Sequence, residues 1–266
     1  MEISLSKPIA EGRTAEVYEW GDGYVLKLYH EWCPSHWVDQ EALVAHAVSA
    51  AGIATPAAGE IVEVNQRRGL IYERVTGSSM LQDMNAHPWT IFKHARTLAE
   101  LQVKINQLSV PGLQSANDGL MYSIRNAPHL DDELREKVLK HFTMLTDGKK
   151  VCHGDFHPGN VLLTEKGAVV IDWMTASSGN PWGDVARTSL LLSIGAKNAG
   201  KVVSPMIRVF FRFYHQVYLK HYMSLVHDGD NEYRKWMPIV AAARLAEKID
   251  GEQEALIEMI RAGLME

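Results

Sequence analysis

At 266 residues, 46% hydrophobic and 22% charged, the chain has the balance of an ordinary globular protein and room for a large core. A net charge of −5 provides no basic footprint for nucleic acid, and the apolar runs are too short and interrupted to span a membrane. The first ten residues hold one lysine and no apolar stretch, so they do not read as a signal peptide. Two cysteines far apart, Cys33 and Cys152, fit a reduced protein, and the expected setting is the cytoplasm.

Residues 9–19 and 24–29 read as two strands joined by the turn Gly21-Asp22-Gly23. Pro34 and Ser35 open a helix that runs to Ala51 and stops at Gly52. Residues 61–64 and 70–75 flank 65–69 as a second hairpin. After Gly77 the pattern changes. The span 89–108 carries Ile91, Ala95, Leu98, Leu101, Val103 and Ile105 at largely helical spacing. A second amphipathic helix, 131–145, opens with acidic residues that suit its positive end. A strand–loop–strand unit at 151–172 follows, then helices over 185–263. A break near 76–79 thus divides a β-rich lobe, 1–75, from a larger helical lobe, 76–266, in an α+β chain.

The chemistry concentrates between residues 151 and 173. His153, Asp155, His157 and Asn160 crowd a loop between two apolar strands, and Asp172 ends the second of them. Loops held by strands are where catalytic groups are displayed. Asp155 and Asn160 stand five residues apart, the separation of base and metal-binding Asn in a kinase catalytic loop. Phosphoryl transfer needs a carboxylate to orient an acceptor hydroxyl and take its proton. It also needs oxygen ligands for Mg2+, which takes one or two carboxylates with phosphates and water. Asp155 suits the first task, Asn160 and Asp172 the second.

His153-Gly-Asp-x-His-x-x-Asn160 followed by Ile171-Asp-Trp173 resembles the signature of the aminoglycoside phosphotransferase and choline kinase family. The resemblance implies a two-lobed protein-kinase-like fold, a small-molecule acceptor, ATP (with GTP as the alternative donor) and Mg2+. A kinase also needs a cation on the α/β-phosphates, oriented by a glutamate on a helix. Lys27, inside the apolar strand, and Glu41, within the apolar stripe of the following helix, are the candidates. Gly12, Arg13 and Thr14 stand where a phosphate-covering loop belongs, although only Gly12 of a full glycine-rich pattern is present. Residues 70–75 resemble an interlobe hinge, with the Glu73 carbonyl and Val75 amide reading the adenine edge. Pro181 to Arg187 resembles the segment after the metal aspartate, with Asp184 and His153 expected to brace the catalytic loop.

Other readings compete. A metal-dependent phosphohydrolase would use His153, Asp155, His157 and Asp172 as ligands, but leaves Lys27 and Glu41 without purpose. A non-catalytic nucleotide-binding scaffold would be expected to lack Asp155, Asn160 or Asp172. No Ala-Pro-Glu follows Asp172, which disfavours a protein substrate. Gly195, Gly200 and Lys201 fit the start of a P-loop, but Val202 replaces its Ser or Thr, so a linker is expected. Trp182, Tyr214, Tyr218, Tyr222, Tyr233 and Trp236 are either core or the lining of an acceptor pocket, and Asp228, Asp230 and Glu232 read as a solvated loop.

Overall fold

The computed structural model describes residues 5–194, 205–226 and 229–265; the P-loop-like stretch 195–201 and Asp228 lie outside them. In chain order the strands are β1 (Ala10–Glu11), β2 (Ala15–Glu19), β3 (Tyr24–Tyr29), β4 (Ala58–Val64), β5 (Arg67–Glu73), β6 (Ser78–Ser79), β7 (Lys150–Cys152), β8 (Val161–Thr164), β9 (Gly167–Val170) and β10 (Ser177–Gly179). The helices are α1 (Ser35–Ala50), α2 (Met80–Ala86), α3 (Ile91–Gln107), α4 (Ala116–Arg125), α5 (Asp132–Thr143), α6 (Pro181–Ile194), α7 (Pro205–Val226), α8 (Asp230–Arg244) and α9 (Gln253–Gly263). The chain packs as two compact units, Met1–Gln82 with Gly159–Ala176, and Asp83–Pro158 with Ser177–Glu266. The β8–β9 hairpin therefore groups with the N-terminal sheet, and the first unit runs past the break at 76–79.

In the first unit, β1-β2-β3-β5-β4 form an antiparallel sheet. The span 9–19 is two strands rather than the one expected. Ala10 pairs with Val17, and the chain reverses at Gly12-Arg13-Thr14, where the Gly12 amide donates to the Ala15 carbonyl at 2.8 Å. The β4–β5 turn is also tighter than the five residues expected. Asn65 and Gln66 both take left-handed φ, 51° and 65°, which matches the twist of a two-residue hairpin. Arg67 therefore starts β5, and the sheet claims it. Its Nε donates to the Tyr29 carbonyl at 2.8 Å, its Nη2 to the Leu28 carbonyl at 3.1 Å, and it pairs with Glu16 at 2.7 Å.

Strand alternation sorts β3 between two faces. Leu26 and Leu28 pack with Tyr18 and Val64 on one side. On the other, Tyr29 packs with Leu70, Tyr72 and the Val38, Ala42 and Ala45 face of α1. A smaller antiparallel sheet, β6-β8-β9, belongs to the same unit. It is fastened to the segment after α1, where Val170 donates to the Ala54 carbonyl at 2.8 Å and Trp173 to Thr55 at 2.9 Å. Gly77 admits no side chain, because a Cβ there would stand 2.3 Å from the Leu163 carbonyl oxygen.

The second unit is helical, with β7 and β10 paired antiparallel. Ile91, Ala95, Leu98 and Ile105 form the buried face of α3. Helix α4 was not anticipated; its signal is Ser115, whose hydroxyl accepts from the Asp118 amide at 3.2 Å as an N-cap. Asp131 caps α5 in the same way through Leu134. Helix α6 begins at Pro181, four residues before the expected start, since proline suits the first helical turn. Asp230 and Glu232 lie in the first turn of α8 rather than a loop, pairing with Arg234 and Lys235. Tyr214, Tyr218, Tyr222, Tyr233 and Trp236 are buried.

Candidate active site

Lys27 stands on β3, a central strand of its sheet, on the α1 face it shares with Tyr29. Its Nζ donates to both oxygens of Glu41, at 2.8 and 3.0 Å, and to Oδ1 of Asp172 at 2.8 Å. Burial alone would discharge the amine, but Glu41 and Asp172 outweigh it and hold the pKa above its ordinary value. Glu41 is 1% exposed and so requires partners. Besides Lys27 it has two phenols, Tyr29 and, at 2.9 Å, Tyr72. Burial and the Glu41 charge push both phenols far above their usual pKa, so each remains a donor. Neither tyrosine stands out in the sequence; their signal is a strand position on the face of Lys27.

The Gly12–Thr14 reversal joins β1 to β2. The Thr14 carbonyl accepts from the His30 amide at 2.9 Å and the Cys33 thiol at 3.3 Å, fixing the base of the loop. Gly12 and Arg13 line an open cavity of roughly 520 Å³ with His30, Trp32 and Arg67. At the end of β5 the Glu73 amide is already used by the Ala57 carbonyl at 2.9 Å. The Val75 amide donates to no described residue.

Asn160 and Asp172 flank the β8–β9 hairpin. Val161 pairs with Val170, and the Ile171 amide donates to the Asn160 carbonyl at 3.0 Å, which brings the two residues to the same open end. Asp172 takes φ 66°, a left-handed conformation uncommon outside glycine. Its side chain is 42% exposed, and Lys27 occupies one of its oxygens. One half-exposed carboxylate, on a chain segment tied to that of Asn160, fits Mg2+, which keeps most of its shell as water and phosphate. Among the described residues no three of His, Cys, Asp and Glu gather as a metal-binding group.

In the helical unit, Asp155 lies in the loop after β7 and is about one-third exposed, with His157 Nε2 3.7 Å away. Burial favours the protonated carboxyl, yet the hydrogen bond and charge of His157, with Arg187 and His153, hold it at about 2. The loop is braced from α6. The buried Asp184 accepts from the Gly154 amide at 2.8 Å, and its other oxygen accepts from Gln102 and Asn106 of α3, each at 3.0 Å. Asn106 also donates to the Val151 carbonyl at 2.9 Å, which ties β7 to the same hub. Tyr222 donates to Asn106 at 3.0 Å and Tyr218 to Gln102. Both are thus buried parts of the brace, and Tyr222 with Trp182 also borders a cavity of roughly 320 Å³. Gln102 and Asn106 were not anticipated.

The chain matches the model of the phosphotransferase enzyme family over residues 6–221. No curated protein sequence matches it. Among solved structures it resembles aminoglycoside phosphotransferase APH(4)-Ia in a ternary complex with AMP-PNP and hygromycin B, at 17% identity and a TM-score of 0.67, over 98% of this chain and 94% of that one. An amicoumacin kinase bound to AMP-PNP, Ca2+ and Ami has a TM-score of 0.64 at 14% identity, over 97% and 87% of the two chains. A choline kinase from Cryptosporidium parvum Iowa II has 0.54 at 16% identity, also over 97% and 87%. At such identities the likeness is one of fold, an α+β kinase-like architecture with a sheet-bearing N-terminal region and a helical C-terminal region. A family match across most of its length means that the chain belongs to the phosphotransferase enzyme family.

Proposed function

We propose that this protein is an ATP-dependent kinase that transfers the γ-phosphoryl group to a hydroxyl of a small molecule in the cytoplasm. The observation that carries the reading is Lys27 bridged between Glu41 and Asp172. A cation held by a buried glutamate and reaching the metal aspartate is what phosphate binding in a kinase requires. The AMP-PNP bound to two structural relatives supports ATP as donor.

In this reading Lys27 meets the α/β-phosphates, with the Gly12–Thr14 loop over them. The Val75 amide and Glu73 carbonyl receive the adenine edge. Asn160 and Asp172 hold Mg2+, which when bound neutralises charge on the phosphate oxygens. The acceptor oxygen forms a bond to the γ-phosphorus while the bond to the β–γ bridging oxygen breaks, and ADP leaves with that electron pair. The acceptor proton passes to the Asp155 carboxylate. A carboxyl with a pKa of about 2 is a weak base, so it chiefly orients the hydroxyl and collects the proton late in a loose transition state.

The test is Mg2+-dependent ADP release from ATP, alone and with a panel of small alcohols. Asp172→Ala is expected to remove nearly all of it while leaving the thermal melt in place. ADP release that survives Asp172→Ala overturns the assignment.

A further inference from the structure

Gly154, the residue before the proposed base, is held by both of its backbone groups. Its φ of 79° is left-handed, a conformation that glycine adopts without strain. Its amide donates to Asp184 at 2.8 Å, and its carbonyl accepts from Arg187 Nε at 3.1 Å. Asp184 and Arg187 stand three residues apart on α6 and so share a face. A peptide is planar, so the Gly154 carbonyl and the Asp155 amide turn together. That amide donates to Nδ1 of the buried His153 at 3.3 Å. One peptide plane is thus pinned at its carbonyl by Arg187 and at its amide by His153. The clamp acts on backbone alone; the Asp155 carboxylate keeps its own contact with His157, whose Nε2 is 3.7 Å away.

Arg187 is itself held from the C-terminal part of the chain. Its Nη2 pairs with Oε1 of Glu247 at 2.7 Å, and the other Glu247 oxygen takes Nη1 of Arg244 at 2.5 Å. Arg244 then forks onto the buried Glu252, at 2.7 and 3.0 Å. Arg244 ends α8, Glu247 lies in the 3-10 turn that follows, and Glu252 precedes α9. Between the two glutamates the chain reverses through Lys248 and Gly251, at left-handed φ of 54° and 79°. A left-handed lysine persists where its surroundings impose it, and the Arg244 fork on Glu252 spans that reversal. All three residues lie beyond residue 221, where the family match ends.

Resting on the kinase reading above, we propose that Arg187 is a positioning residue for Asp155, and that the turn between α8 and α9 sets Arg187 through Glu247. The guanidinium is a rigid plane, so a carboxylate fixed on Nη2 also aims Nε at the Gly154 carbonyl. Fixing that carbonyl fixes the direction in which Asp155 leaves the backbone, and its carboxylate meets the acceptor hydroxyl without a search. No bond of the substrate changes at Arg187 or Glu247.

Two readouts test this. Amide hydrogen exchange over residues 151–160 needs no turnover. Arg187→Gln is expected to speed exchange at Gly154 and Asp155 about tenfold, with β3 unchanged, because only the local opening becomes easier. The second readout is Mg2+-dependent ADP release from ATP with water as acceptor. Arg187→Gln is expected to lower kcat roughly 10-fold to 100-fold, as a misplaced group does. Glu247→Gln should lower it roughly 3-fold to 10-fold, since a neutral hydrogen bond replaces a charged one. KM for ATP should stay as in the parent. Both losses should vanish in the Asp155→Asn background, where no base is left to place, whereas a fault in stability lowers the rate by one factor in either background. Equal losses in both backgrounds overturn the proposal, and so does unchanged exchange in both glutamine variants; the kinase reading survives either result. A parent that releases no ADP in an Asp172-dependent way sinks that reading and the positioning role with it.

Discussion

Glu41 in the first unit and Asp184 in the second are both buried carboxylates, but their surroundings differ in kind. Glu41 faces a cation, Lys27, that has a second carboxylate within reach, together with two phenols. Among the described residues Asp184 accepts from neutral donors, the Gly154 amide and the side-chain amides of Gln102 and Asn106. An ion pair with an alternative partner can be redistributed when phosphate and metal arrive. A carboxylate solvated by fixed dipoles has nothing to exchange; it holds a loop in one shape. The contrast separates a set of groups suited to binding ligand from a set that positions the loop of the proposed base.

The largest expected effect lies at the end of the loop that Asp184 supports. Asp155→Asn keeps size and shape but cannot take the acceptor proton. The expected fall in kcat is ~10²–10⁴-fold, with ATP affinity little changed, measured by single-turnover transfer beside nucleotide titration. Near-normal transfer would put the base elsewhere. Asp184→Ala strikes the brace: the Gly154 amide loses its acceptor, and Gln102 and Asn106 each lose one of two, keeping Thr188 and Val151. A buried donor left unsatisfied costs roughly 1–3 kcal/mol, so the denaturation midpoint should fall together with activity. A variant as stable as the parent would mean the hub is not the support it is taken for.

Glu41→Gln sharpens the contrast from the other side. The loss of one charge-assisted hydrogen bond, ~1.5–3 kcal/mol, corresponds to about a tenfold to hundredfold fall in kcat/KM for ATP. Lys27 would then lean on Asp172 alone, so half-maximal velocity should need more Mg2+. An unchanged Mg2+ requirement would break the idea of an exchangeable pair. The smallest effect is in pH. A folded pKa of about 2 lies below the unfolded carboxyl value, so the stability it contributes is present above ~4 and is lost as pH falls through about 2. Asp155 should therefore produce no acidic limb in kcat between pH 5 and 8. A limb in that window that persists in His157→Gln, and is absent from Asp155→Asn, would show that the carboxyl titrates there.

Much of the set proposed to face the ligand is legible in the sequence. Lys27 is conspicuous as a charge within an apolar strand, Glu41 as one within an apolar helical stripe, and Asp155, Asn160 and Asp172 share a short loop-and-hairpin motif. The supporting set was not. Gln102 and Asn106 are polar residues four apart on an amphipathic helix, where such residues ordinarily face water; here both are buried against α6 and α7. Tyr29 and Tyr72 read as core aromatics, since a phenol's partner is invisible until the strand face is matched to a helix.

What the sequence by itself determined is local. Alternation in β3 puts Lys27 and Tyr29 on one face, Ser115 and Asp131 start helices α4 and α5, and Pro181 opens α6, because steric limits and hydrogen bonds act over a few residues. The tertiary structure decided which charges meet. Lys27 reaches Asp172 from 145 positions away, and Gln102 joins Asp184 across 82. It also grouped β8 and β9 with the N-terminal sheet. No local propensity encodes such pairings. They follow from burying apolar faces together, after which each buried charge must find the partner that its desolvation demands.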